Sequence, residues 1–150
     1  MTELMTCEEL FQQAAAFMAQ CGASGVRAWH NPVQDLSLVP CGGPDGTLTF
    51  ACRTTPEMAN IIGIVHGGVT ASLVDTCMGI VCGCQAGCVT PTISMTVNYA
   101  QPVPLDAVIH VRTHIIRCGA TSGQMWAEVF LADDPDHILV TATGIYSTKR

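Results

Sequence analysis

From Met58 to Leu105 the chain runs 48 residues with a single formally charged side chain, Asp75. A segment that poor in charge cannot coat a surface against water, so it is expected to be interior. A membrane span is one way to be interior, but crossing takes about 20 apolar residues in succession. Here Gly83, Gln85, Gly87, Pro91 and Asn98 interrupt the run. The segment therefore reads as the core of a folded domain, with no membrane partner expected. The deficit extends to the whole chain: charged residues make up 12% against 49% hydrophobic, where soluble domains carry about 25% charge. A surface so short of charge predicts burial against further copies of the same chain. The 150 residues suit one domain, 1–150, able to bury a core without staples.

Around that stretch the pattern resolves into elements. Thr6 followed by Glu9 is a capping box, and Leu10, Phe11, Ala14, Phe17 and Met18 recur at helical spacing, which predicts an N-terminal helix over about 6–20, ended by Gly22 and Gly25. Gly42, Gly43, Pro44, Asp45 and Gly46 form a dense turn between 35–40 and 47–55, which reads as a hairpin. From Val69 to about Cys84 the residues are small or apolar on all sides, predicting a helix buried nearly all round, disturbed only by Asp75. Four β-rich runs follow, at 90–99, 108–117, 124–131 and 138–147, punctuated by Pro102, Pro104, Gly119, Gly123 and the cluster from Asp133 to Asp136. About six strands and one helix apolar on every face make an α+β chain in which an antiparallel sheet must curl around that helix.

Composition narrows the chemistry. A net charge of −6 without a basic stripe excludes tracking of phosphates along a duplex, so nucleic acid is not an expected partner. Nine cysteines would suit a secreted disulfide framework, but MTELMTCEEL has acids and lacks a basic, then apolar, leader. Reduced thiols in the cytoplasm are expected. Cys82, Cys84 and Cys88 lack a second pair at ligand spacing, and His110 and His114 lack the glutamate of a metalloprotease helix. No metal site is assigned.

Asp75 is the most informative residue. A carboxylate flanked by Leu73, Val74, Cys77 and Met78 is costly to desolvate unless it is paired or functional, and no cation lies nearby in sequence. Just upstream, His66-Gly67-Gly68 opens the same helix. Two glycines admit a ligand close to the backbone, where free N–H groups and the positive end of the helix dipole suit an oxyanion. Gly67 and Asp75 are eight positions apart, about 12 Å along one helix axis. One carbonyl cannot touch both in the same chain, so a shared site requires a second copy whose helix runs antiparallel alongside.

Asn60-x-x-Gly63-x-x-His66-Gly67-Gly68, with Asp75 nine residues after the histidine, resembles the hot-dog-fold thioesterases of the PaaI-like branch, which includes the thioesterase-superfamily-member-two type. The resemblance runs from about Leu48 to Tyr146 and takes in the strand from Thr92 to Tyr99. It implies a hot-dog fold and hydrolysis of an acyl-CoA thioester. By position it implies that Asp75 is nucleophile or general base and that the Gly67 N–H polarises the thioester oxygen. Asn60 would hold the water or the carbonyl, and His66 would orient its loop. Thr92 falls where relatives carry a hydroxyl that places the water; an ordinary strand threonine is the other reading, as a plain turn-former is for Asn60. Gly68 and Arg117 join as substrate-binding residues. The chain departs from the pattern after Gly119, where many relatives carry a cation for the coenzyme A phosphates and this chain has Ala120 and Thr121. Arg117, with Arg53, Arg112, Lys149 and Arg150, is the remaining source of such a contact. No cofactor is implied, coenzyme A being part of the substrate. The implied assembly is a homodimer or a dimer of dimers, a tetramer being favoured. A hydratase or dehydratase and a non-catalytic acyl-CoA-binding protein are the alternatives on the same fold.

Overall fold

The computed structural model describes residues 3–23 and 32–149. Gly25 and Arg150, named above, lie outside the described residues. Helix α1 (Cys7–Ala23) starts on the expected capping box: Glu9 N–H donates to Thr6 Oγ1 at 3.2 Å, and Thr6 N–H donates to Glu9 Oε2 at 2.9 Å. The Thr6 N–H and the Thr6 hydroxyl, both donating to Glu9 Oε2 at 2.9 Å, hold the Glu9 carboxyl below its ordinary range. Leu10 and Ala14 are fully buried, whereas Phe17, expected on the same face, is 40% exposed.

A short hairpin follows, β1 (Leu36–Leu38) and β2 (Thr47–Arg53), paired antiparallel as the glycine-rich turn predicts. A single 3-10 turn (Pro56–Met58) leads to helix α2 (Gly67–Ala86), which ends at Gly87 in the left-handed conformation, φ +66°. The remaining strands are β3 (Thr92–Tyr99), β4 (Val108–Cys118), β5 (Ser122–Leu131) and β6 (Asp134–Ser147). All six form one antiparallel sheet in the order β1-β2-β4-β5-β6-β3. Register shifts in β3, β4 and the β5–β6 pair bend the sheet, as bulges do. Leu73, Val74, Cys77, Met78, Val81 and Cys82 of α2 share one core with Val111, Met125, Val129 and Val140 of the sheet. A bent antiparallel sheet around one long helix is the hot-dog fold.

Three features differ from the sequence expectation. The cluster from Asp133 to Asp136 is mostly strand: a two-residue turn at Ala132 and Asp133 starts β6 already at Asp134. Pro135 fits there because the end of this hairpin is exposed and irregularly paired, so its missing N–H breaks no ladder bond. Gln85 interrupts the apolar run for a reason. It stitches α2 to the start of the chain, accepting from Met5 N–H at 2.8 Å and donating to the Glu3 carbonyl at 3.1 Å. Finally, α2 is long and apolar enough to cross a bilayer, but it is buried on one side only. A stripe of Ser72, Asp75, Thr76, Gly79 and Gly83 is left half-buried in the single chain.

Candidate active site

Asp75 lies in the third turn of α2, near the middle of the helix, and faces the end of the sheet where β3 and β6 pair. Its Oδ1 accepts two hydrogen bonds, from Thr92 Oγ1 at 2.8 Å and from Tyr146 Oη at 2.9 Å. Thr92 is the first residue of edge strand β3, and Tyr146 comes from the far end of β6, opposite it in register. No ion pair to Asp75 forms among the described residues; two neutral hydroxyls take that place. Burial, then the Asp75 charge, pushes the Tyr146 phenol far up, so it stays protonated and donates to the carboxylate.

Beside this cluster a cavity of about 690 Å³ lies between α1 and α2. Phe17, Val33, Ile80 and Val89 line it, and among its lining residues Asp75 is the only carboxylate. The α2 residues on its wall run from Asp75 to Cys84, roughly 14 Å along the helix. An apolar cleft of that volume with a few convergent polar groups is the usual form of a small-molecule site.

At the start of the helix, His66 is the N-cap, and its Nδ1 accepts the Gly68 N–H at 2.9 Å. That bond uses the Gly68 amide and leaves the Gly67 N–H, at the first helical position, without an intrahelical acceptor. The Gly67 carbonyl accepts from Tyr99 Oη at 2.6 Å. A Cβ on residue 67 would meet the Tyr99 ring at 3.3 Å, so glycine lets this strand residue close against the helix start. The HGG triplet therefore presents one amide rather than two.

Asn60 has its carbonyl oxygen engaged locally. Oδ1 accepts the N–H groups of Ile62 at 3.0 Å and Ile64 at 3.3 Å, and Gly63 completes the turn at φ +81°. The oxygen is the turn-former; the side-chain amide N–H groups remain as donors. Arg117 is exposed beside Gly119 at the end of β4 and does not line the cavity. Arg112 is paired with Glu128 at 2.7 Å and lies over the Phe130 ring.

One chain thus brings together Asp75 and Thr92. It leaves Gly67, Gly68, His66 and Asn60 around the start of α2, about 12 Å from Asp75 along the axis, and Arg117 apart from both. Sequence reasoning missed Tyr146, Tyr99 and the α1 wall with Gln13 and Phe17. The one signal for Tyr146 is Gly144 two residues before it on the same face of β6.

A family model described as the thioesterase superfamily matches residues 62–137. Acyl-coenzyme A thioesterase 13 of Homo sapiens is 31% identical over 78 residues, covering 51% of this chain and 55% of that protein. The chain spans about half the length of the curated relatives it matches. Among solved structures, the PaaI protein of Escherichia coli superposes with TM-score 0.74 at 17% identity over 95% of this chain and 94% of that one. The smu.793 protein of Streptococcus mutans, solved bound to acetyl CoA, has TM-score 0.68 at 19% identity over 82% and 92%.

Proposed function

We propose that this chain, which belongs to the thioesterase superfamily, hydrolyses an acyl-CoA thioester to a free acid and coenzyme A. The observation that carries the reading is Asp75: the one charge in the core helix, held by hydroxyl donors on one oxygen, at the wall of an apolar cavity. The acyl group lies in the cavity with its carbonyl carbon at Asp75. Asp75 either takes the proton of a water that attacks that carbon, the C–S bond then breaking and the same proton passing to the leaving thiolate of coenzyme A, or attacks the carbon itself. In the second route it expels the thiolate and forms an acyl–aspartyl anhydride, which a water then hydrolyses to the free acid and the regenerated carboxylate, its second proton going to the thiolate. Thr92 helps to place the water. The developing oxyanion needs an N–H donor, and the Gly67 amide of a second copy supplies it, since the 12 Å along α2 excludes the Gly67 of the same chain (about 12 Å). Gly68 lets the substrate approach that helix start, Asn60 donates from its side-chain amide, His66 holds the turn, and Arg117 meets a phosphate of the nucleotide.

The half-buried stripe on α2 and the exposed edge strand β3, with Ile93 61% and Tyr99 50% exposed, support a dimer as the smallest active unit, and the low charge of the chain supports dimers pairing into a tetramer. The thiols of Cys7, Cys41, Cys52, Cys77, Cys82, Cys84, Cys88 and Cys118, outside any disulfide among the described residues, support a reducing compartment, the cytoplasm. The test is a panel of acyl-CoA thioesters, aromatic and aliphatic of graded length, followed by release of free thiol. Turnover of part of the panel is expected. Binding of acyl-CoA without thiol release from any of them would replace hydrolysis with the binding-protein reading.

A further inference from the structure

We propose that Tyr146 is a positioning residue for Asp75, fixing the carboxylate so that one oxygen is pinned and the other is presented to the cavity. The inference rests on the reading of Asp75 as the reacting carboxylate. Tyr146 touches no substrate in this scheme; it acts through the acid.

The geometry is specific. The phenol reaches both Oδ1 of Asp75, at 2.9 Å, and the backbone carbonyl of the same residue, at 3.1 Å. One hydroxyl thus spans main chain and side chain of one residue, which restricts rotation of the carboxylate about both side-chain bonds. Thr92 adds a second donor to the same oxygen at 2.8 Å. No donor among the described residues reaches Oδ2, which is left for water or substrate.

The fold makes room for this phenol deliberately. Tyr146 is completely buried, and its ring occupies a slot between two glycines. A methyl group on residue 144 would stand 2.6 Å from ring atom Cε2 and 3.1 Å from the hydroxyl; one on residue 79 would stand 3.5 Å from Cε1. Gly144 precedes Tyr146 on the same face of β6, and Gly79 is one helical turn beyond Asp75. The two donors differ in kind: Thr92 lies at the cavity wall, where a water in the cavity can replace its hydroxyl, whereas Tyr146 has no exposed surface and nothing replaces its phenol. Tyr146 is therefore the stronger determinant of the two.

The experiment compares Tyr146→Phe, Thr92→Val, Asp75→Asn and the double variant Tyr146→Phe/Asp75→Asn in thiol release, with melting and assembly state recorded for each. Tyr146→Phe keeps the ring in its slot, so the folded oligomer and KM are expected unchanged while kcat falls about 10- to 100-fold, the worth of a hydrogen bond to a charged group. Thr92→Val is expected to cost less. In the Asp75→Asn background, Tyr146→Phe should cost nothing further, because the group it positions is gone. An unfolded Tyr146→Phe, a rise in KM in place of the fall in kcat, or the same fractional loss in both backgrounds would make Tyr146 a packing residue and overturn the proposal. An unchanged kcat in Tyr146→Phe beside an inactive Asp75→Asn overturns it alone; Asp75→Asn at the wild-type rate overturns it together with the reading of Asp75.

Discussion

Asp75→Asn separates the chemistry of this site from its contribution to the fold. Asparagine keeps the shape of the side chain and keeps a carbonyl oxygen to accept from Thr92 and Tyr146, but it removes the charge. For catalysis, loss of a positioned base or nucleophile is worth about 100- to 10,000-fold, or about 2.7–5.4 kcal/mol of barrier. For stability two effects oppose each other. The two hydrogen bonds lose their charge assistance, a loss of about 1 kcal/mol. Against that, a carboxylate no longer has to be held on a half-buried helix face among apolar neighbours, a relief of similar size after the partial exposure is allowed for. The net change is expected within about 1 kcal/mol, which for a chain of this length moves the melting temperature by no more than about 4 °C. Asp75→Ala differs, because it leaves the buried Tyr146 hydroxyl only the main-chain carbonyl at 3.1 Å; a further loss of about 1–3 kcal/mol is expected. Both variants should be inactive, and only the alanine one should melt several degrees lower. Thiol release and thermal melting on the same preparations decide it. Asp75→Asn working within threefold of wild type would refute the role of the acid, and a large drop in its melting temperature would refute the offset.

Asn60→Ala should lower kcat about tenfold, less than loss of the acid, because its carbonyl is spent on the 60–64 turn and only its amide N–H groups are left to donate; a wild-type rate would leave Asn60 as a turn-former alone. Exhaustive chelation should leave the rate unchanged, since no metal enters the scheme, and activity lost to a chelator and restored by zinc would require a role for Cys82, Cys84 and Cys88. Co-refolding Gly67→Val with Asp75→Ala, each inactive, should partly restore turnover, because in a mixed dimer one site receives both defects and the other neither. Mass-verified heterodimers without recovery would show that each chain carries a complete site.

The outline of the fold is legible because its signals are local. A capping box, a glycine-rich hairpin turn and an apolar helix with one charge are each read from neighbouring residues, and each element forms, although α2 is buried on one side rather than all round. Asp75 stands out for the same reason, as the one charge in a long apolar stretch. What escapes a linear reading is anything fixed by the sheet order. Asp75 and Tyr146 are 71 positions apart and meet only because β6 lies between β5 and the edge strand β3. The cavity escapes as well. Phe17 has the spacing of a core residue, and its use as a cavity wall depends on the angle at which α1 crosses α2. In the turn at Asn60 the residue type fits both readings, and the hydrogen bonds of the oxygen decide which part of the side chain is spent on the fold.

The choice of partners for Asp75 follows from what a reacting carboxylate needs. A lysine or arginine would offset the cost of burying the charge most fully, but it would bind the same lone pairs that must attack carbon or accept a proton, and would weaken the acid as a base. Neutral hydroxyls satisfy one oxygen by hydrogen bonding and leave the net charge on the group. That arrangement stabilises the carboxylate less than an ion pair does, so the remaining cost has to be met by the packing around it. The long uncharged stretch supplies this: α2 shares a core with four strands, and its stability does not hang on the one charged residue in it. The lack of charge from Met58 to Leu105 and the hydroxyl pair on Asp75 are two parts of one solution, in which the helix most able to tolerate an unpaired carboxylate is the one that carries it.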